Sequence, residues 1–173
     1  MSPTFDLALS PTFERARLLS NVLRWFFVIN FGVTVLWLAT VPVLLIWPQT
    51  AGYNLDGSLI AVASLAMPER MNAVAAIVIR TAPALVLLYH AIRIFGCFAK
   101  GEVFAPTPIA HIRAAGFWTS VWAFAPALSQ IVLHHQHIVK FDPPLLAFGV
   151  ATFIAAHVMG EAQRIADENA SIL

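Results

Sequence analysis

Long apolar stretches alternate with short polar ones along the chain: Val22 to Trp47, Val74 to Phe98, Ala114 to Leu133, and Pro144 to Gly160. A helix crossing the hydrocarbon core of a bilayer needs about 20 residues, within a range of roughly 17 to 25. The first three stretches meet that length comfortably. The fourth meets it minimally and gains length if its helix runs on through Glu161 to Ala166. The pattern predicts an all-α integral membrane protein built as a four-transmembrane-helix bundle, with spans at 22–47, 74–98, 114–133 and 144–160. A short interfacial N-terminal helix lies within 1–21, a C-terminal helical extension occupies 161–173, and residues 1–173 form a single membrane domain. The first stretch is a retained anchor, because its apolar run far exceeds the roughly 7 to 15 residues of a signal-peptide core and carries Arg24 near its start.

Composition strengthens the membrane reading. Apolar residues make up 60% of the chain and charged residues 11%, where a soluble domain has about half and about a quarter. The net charge of +1 conceals an uneven distribution. Arg15, Arg17, Arg24, Arg93, Lys100, Arg113 and Arg164 flank one set of span ends, and Arg70, Arg80 and Lys140 the other. Basic residues collect on the cytoplasmic side, so both termini are expected there. A lone cysteine, Cys97, excludes an internal disulfide, and without His or Cys at ligand spacing beside it there is no structural zinc site.

The polar island from Gly96 to Gly116 joins the second and third spans. Lys100 suits a helix C-terminus, Gly101 suits the left-handed position just past it, and Thr107 with Pro108 supplies an N-cap and a first-turn proline for the next helix. So short a link predicts a helical hairpin whose arms are antiparallel neighbours. Capping and the charge rule account for Lys100, Gly101, Pro108 and Arg113 without any further function. They do not account for Glu102 or Phe104. A turn requires neither an acid nor a large aromatic, so the loop is expected to fold back on the helix ends, with Glu102 near Arg113 or Arg93, as a docking surface. The plainer alternative is a Phe that dips into the headgroups.

The cytoplasmic ends extend this picture. Ser2 to Phe5 and Ser10 to Phe13 repeat the motif SPTF, and the second copy predicts a helix starting near Pro11. Phe13, Arg17, Leu18, Arg24 and Trp25 would then place cations at the headgroups and aromatics at the acyl boundary. At the other terminus, Glu161 and Arg164 are spaced i,i+3 and Arg164 and Glu168 i,i+4, which predicts a fourth helix continuing beyond the bilayer. Its end, Asp167, Glu168 and Asn169, is either a solvated terminus or an acidic attraction for a basic partner.

The order Lys100-Gly101-Glu102-Val103-Phe104, a short turn, His111-Ile112-Arg113-Ala114-Ala115-Gly116, a last span and a tail ending at Leu173 resembles the small four-span prokaryotic membrane family, domain of unknown function 2975. The resemblance covers nearly the whole chain. It is carried by Gly101, Glu102, Phe104, Ile112, Arg113, Gly116, Glu168, Asn169 and Ile172. Where the family follows its Phe with Thr or Ser, Ala105 and Pro106 intervene here before Thr107, leaving the exact N-cap open. Members are typically encoded beside a very small helix-turn-helix protein of the Cro/repressor type. The resemblance therefore implies a multi-pass protein of the bacterial inner membrane, with cytoplasmic termini, that binds such a regulator and reaches DNA only through it. The residues expected to bind that partner are Glu102, Phe104, Arg113, Phe13, Arg17, Glu168 and Asn169.

Within the spans, small residues at spacing four allow close helix contact. Ala115, Thr119, Ala123 and Ala127 form one such stripe, and Ala147, Ala151 and Ala155, followed by Ala156 and Gly160, form another. They are expected to face each other or a second subunit, which leaves a homodimer possible. Pro42, Pro83 and Pro126 each remove a backbone donor and can kink a span. Intramembrane polar groups are costly and mark candidate sites: Arg80 is expected to pair with Asp142 or Glu69 or to cap carbonyls freed near Pro83, and His90 and His157 to hydrogen-bond across helices. His134, His135 and His137 are candidate zinc or copper ligands, and they define an alternative function as a periplasmic-facing metal or small-molecule sensor. Consecutive helical positions are about 100° apart, so only some of the three could share one ion. The sequence contains no nucleophile elbow, P-loop or HExxH motif and implies no enzyme and no cofactor. It also lacks the basic stripe needed for direct DNA contact.

Overall fold

The computed structural model describes residues 11–46, 52–55, 58–61, 65–133 and 141–171. Four long helices dominate: α1 (Pro11–Thr40), α3 (Met67–Ala99), α4 (Pro106–Val132) and α5 (Pro143–Ala170). A single helical turn, α2 (Val43–Ile46), and a hairpin of β1 (Gly52–Leu55) and β2 (Ser58–Ala61) lie between α1 and α3. The strands are antiparallel, with Tyr53 opposite Ile60 and Asn54 opposite Leu59. This hairpin is an element that the apolar pattern does not announce. Three helices, α1 from Glu14, α3 and α5, are long and apolar enough to cross a membrane. α4 has the length, with 27 residues, but Thr119, Ser120, Ser129 and Gln130 dilute its apolar run.

Local chemistry explains the boundaries. α1 begins at Pro11, as the second SPTF motif predicts. It stops at Thr40, because Pro42 ends the helix rather than kinking it and Val41 closes the last turn with a tighter bond to the Leu38 carbonyl, 3.1 Å. At the start of α3, the Glu69 carboxylate accepts from the Ala66 amide at 3.1 Å. Its far end is a Schellman motif. The Glu102 amide donates to the Cys97 carbonyl and the Gly101 amide to that of Phe98, both at 3.0 Å, with Gly101 at φ 85°. The left-handed glycine expected at this position is present. α4 starts two residues earlier than Thr107 and Pro108 imply, with Ala105 as N-cap and Pro106 in the first helical position. Proline there gives up a donor that would have no partner and supplies a helical φ, so the missing side-chain cap matters little. Asp142 caps α5 by accepting from the Leu145 amide at 3.0 Å, and its own amide donates to the Ala123 carbonyl at 3.1 Å. Pro83 and Pro126 sit inside continuous helices.

The helices pack antiparallel in the order α1, α3, α4, α5, each mainly against its neighbours in that order. The arrangement is a row in which α4 is enclosed on both sides and α1 and α5 form the edges. Burial follows an inverted rule. The buried apolar residues are mostly alanines, including Ala73, Ala76, Ala115, Ala123, Ala125, Ala127 and Ala156, while Leu18, Trp25, Ile29, Leu36, Phe148, Phe153 and Val158 are exposed. Large side chains outside and small ones between helices is the arrangement that lipid permits and water disfavours.

The α4–α5 seam is the tightest. A Cβ placed on Gly116 would stand 2.6 Å from the Phe153 amide nitrogen, and one on Gly149 would stand 2.5 Å from the Ser120 hydroxyl and 2.8 Å from the Gly116 carbonyl. The α4 stripe of Ala115, Thr119, Ala123 and Ala127 is buried as expected. The α5 stripe holds only in its second part: Ala147, Ala151 and Ala155 are exposed, whereas Ala156 is buried, Gly160 lies against Arg113 and Ile109 of α4, and Gly149 joins them at the seam. At the other seam, α1 and α3 meet through larger groups, with Phe27 stacked on Phe95 at a ring separation of 5.4 Å.

Candidate functional site

The start of α1, the α3–α4 turn and the end of α5 lie at one end of the row, because neighbouring helices are antiparallel. The Schellman turn fixes the path of residues 100–105, and the Val103 amide closes onto the Gly101 carbonyl at 3.1 Å. This turn holds Phe104 outward, 70% exposed. Phe104 stands across from the last turns of α5, and together they frame a groove of about 540 Å³. Phe104, Val158, Met159, Ala162 and Ala166 give it a largely apolar lining, to which Gln163 and Asp167 add polar groups. The α5 positions recur at intervals of three and four, so one helix face provides them all. A largely apolar lining with a few polar groups suits an apolar side chain of an amphipathic partner helix.

Charge around the groove is organised by Arg164. Its guanidinium donates to Glu161 at 3.1 Å and to Glu168 at 2.7 Å, the two pairs that the sequence spacing predicts. All three side chains are at least half exposed, so each pair contributes at most a few tenths of a kcal/mol to about 1 kcal/mol. Glu168 is therefore already engaged, while Asn169 is exposed on the last turn of α5. Glu102 is exposed and makes no ion pair among the described residues, with Arg113 or Arg93 or any other group. Arg113 instead reaches over Gly160 of α5, where an added Cβ would lie 3.4 Å from its Nη2. The structure thus brings Phe104 together with the α5 extension and sets Arg113 on the adjoining seam. It does not bring Arg17 there, because Arg17 lines a separate gap between α1 and α3. The backbone of Phe13 belongs to α1, and its side chain lies outside the described part of the molecule.

Among the polar groups within the long helices, Arg80 finds a partner other than those expected. Arg80 donates from Nε to the Ser129 hydroxyl at 2.7 Å, and Ser129 donates onward to the Pro126 carbonyl at 2.7 Å. Asp142 is spent on its helix cap and Glu69 on the start of α3, so neither pairs with Arg80. His90 hydrogen-bonds across helices as expected, to His111 of α4, with their Nδ1 atoms 3.0 Å apart. One ring must donate and the other accept, which fixes complementary tautomers. Tyr89 lies edge-on to both rings, at 5.3 and 6.3 Å. His157 is exposed and makes no hydrogen bond among the described residues. No group of three or more potential metal-ligating side chains occurs among the described residues, and His134, His135 and His137 lie outside them.

Comparison with protein families, with curated proteins and with solved structures finds no match to this chain. The family resemblance accordingly rests on the residues quoted for it. Sequence reasoning passed over Met159, Ala162 and Gln163, which share the helical face of Val158 and Ala166. It also passed over His111 as the partner of His90, although Gly101 lies eleven residues after His90 and ten before His111. A hairpin folded at Gly101 places those two positions at one level.

Proposed function

We propose that the chain is a four-span membrane protein, with both termini cytoplasmic, that docks a small helix-turn-helix DNA-binding protein at its charged end and acts on transcription through it. The role is binding, not catalysis, and DNA is met only through the partner. The groove between Phe104 and the end of α5 carries this reading. It joins two segments far apart in sequence, each with a feature that helix capping does not require, into one surface fit for an apolar helix face. Asp167 lies 24 residue steps beyond Pro143, about 36 Å of helix, which exceeds the roughly 30 Å hydrocarbon core. The groove therefore starts at Val158, within the span, and runs out past the membrane surface at Asp167.

A fourth crossing by α4 is supported by its position between antiparallel neighbours and by where its polar groups lie. Thr119, Ser129 and Gln130 are buried between helices, so a modest hydropathy does not expose them to lipid. Cytoplasmic termini are supported by Arg15, Arg17, Arg24, Arg93, Lys100, Arg113 and Arg164 at the groove end. The test is co-purification of the detergent-solubilised protein with the product of the adjacent reading frame, which this proposal expects to be a small helix-turn-helix protein. Phe104→Ala, and Ala162→Trp to fill the groove, are expected to abolish retention while helix content is unchanged. Retention unaffected by both substitutions, or no retention by the unaltered protein, overturns the proposal.

A further inference from the structure

We propose that the gap between the start of α1 and the end of α3 is a site for a phosphate ester anion, carried by a lipid headgroup or free in solution. The gap measures about 520 Å³, within the roughly 300 to 1,000 Å³ of small-ligand sites. Arg17, Asn21 and Arg24 line it from one face of α1, at intervals of four and three, and Lys100 lines it from the end of α3. Glu14 is the one acidic group in its wall, so three cations leave the gap with a net charge of two positive.

These cations are uncommitted. None of Arg17, Arg24 and Lys100 forms an ion pair among the described residues, where Arg164 at the same end of the molecule is held by two carboxylates. At the end of α3 the carbonyls of Cys97 and Phe98 accept from the backbone amides of residues 100–102. Gly96 keeps the floor open. A Cβ there would find only Arg24 Nε at 3.7 Å and Arg24 Cδ at 3.9 Å, so the guanidinium lies over bare backbone. Among the described side chains, the exposed apolar residues of α1 begin at Leu18 and continue through Val22, Trp25 and Ile29. The cations therefore sit where the apolar surface starts, the depth at which headgroup phosphates lie.

The experiment uses the full chain in detergent micelles doped with phosphatidylglycerol or phosphatidylcholine, with retained lipid read by native mass spectrometry. Phosphatidylglycerol is expected to be retained in preference, falling about fivefold for each cation removed across Arg17→Gln, Arg24→Gln and Lys100→Gln. Gly96→Leu, which fills the floor without changing charge, is expected to lower retention too, and Arg164→Gln to leave it unchanged. Displacement by millimolar glycerol 3-phosphate assigns the site to soluble phosphate esters, and resistance to it assigns the site to lipid. Equal retention of both lipids, or full retention of phosphatidylglycerol by the triple variant with native helix content, overturns the proposal.

Discussion

The two outer seams of the row are built on opposite principles. At α4–α5, glycines bring the backbones into contact and leave no space for even a methyl group. At α1–α3, Phe27 and Phe95 hold the helices apart, and beyond that stack, toward the charged end, the helices leave a gap lined by cations. In lipid there is little hydrophobic gain from bringing two helices together, so close packing of small residues does the holding. The seam that has such residues is closed along its middle. The seam held apart by Phe27 and Phe95 stays open at its end.

Substitution by alanine probes this contrast directly. Gly116→Ala and Gly149→Ala should be the most damaging, at about 3 kcal/mol each, because the added methyl meets backbone that cannot move aside. A lowered thermal midpoint in detergent reads the effect, and an unchanged midpoint would mean that the backbones are not in contact. Ser129→Ala, at the seam between these two, should cost about 2 kcal/mol by leaving the Arg80 guanidinium without its acceptor. The same measurement in an Arg80→Leu background should show most of that loss disappear. Gly96→Ala should act in the opposite direction, stabilising by up to about 1 kcal/mol, since alanine is the better helix former and meets nothing closer than ordinary contact. A destabilised Gly96→Ala variant would show the outer seams to be alike after all.

Much of the fold was legible where chemistry is local. The start at Pro11, the left-handed Gly101 and the Glu161–Arg164–Glu168 ladder depend on neighbours within a few residues, and each is present. What was not legible depends on which face of a helix is turned inward. Ala147, Ala151 and Ala155 have the right spacing for a contact stripe, but alanine is as acceptable against lipid as against a helix. Nothing in the sequence separates those three positions from Ala156 and Gly160, which follow them and do meet α4, or singles out Gly149. The site divides in the same way. Phe104 and the α5 extension are each conspicuous alone, but their meeting follows from the antiparallel packing of α4 and α5. Arg17 was grouped with them because it shares their end of the chain's topology, whereas the row places it on the far edge.

The row also limits what a single copy can conduct. Helices standing side by side, each leaning mainly on its neighbours, have two faces and two edges and, among the described residues, enclose no lumen. The polar groups between them, Arg80 with Ser129 and His90 with His111, are locked to one another at hydrogen-bond distance and do not line a channel. A solute crossing the membrane through this protein would need walls from more than one copy, so one copy alone is suited to hold something at its surface.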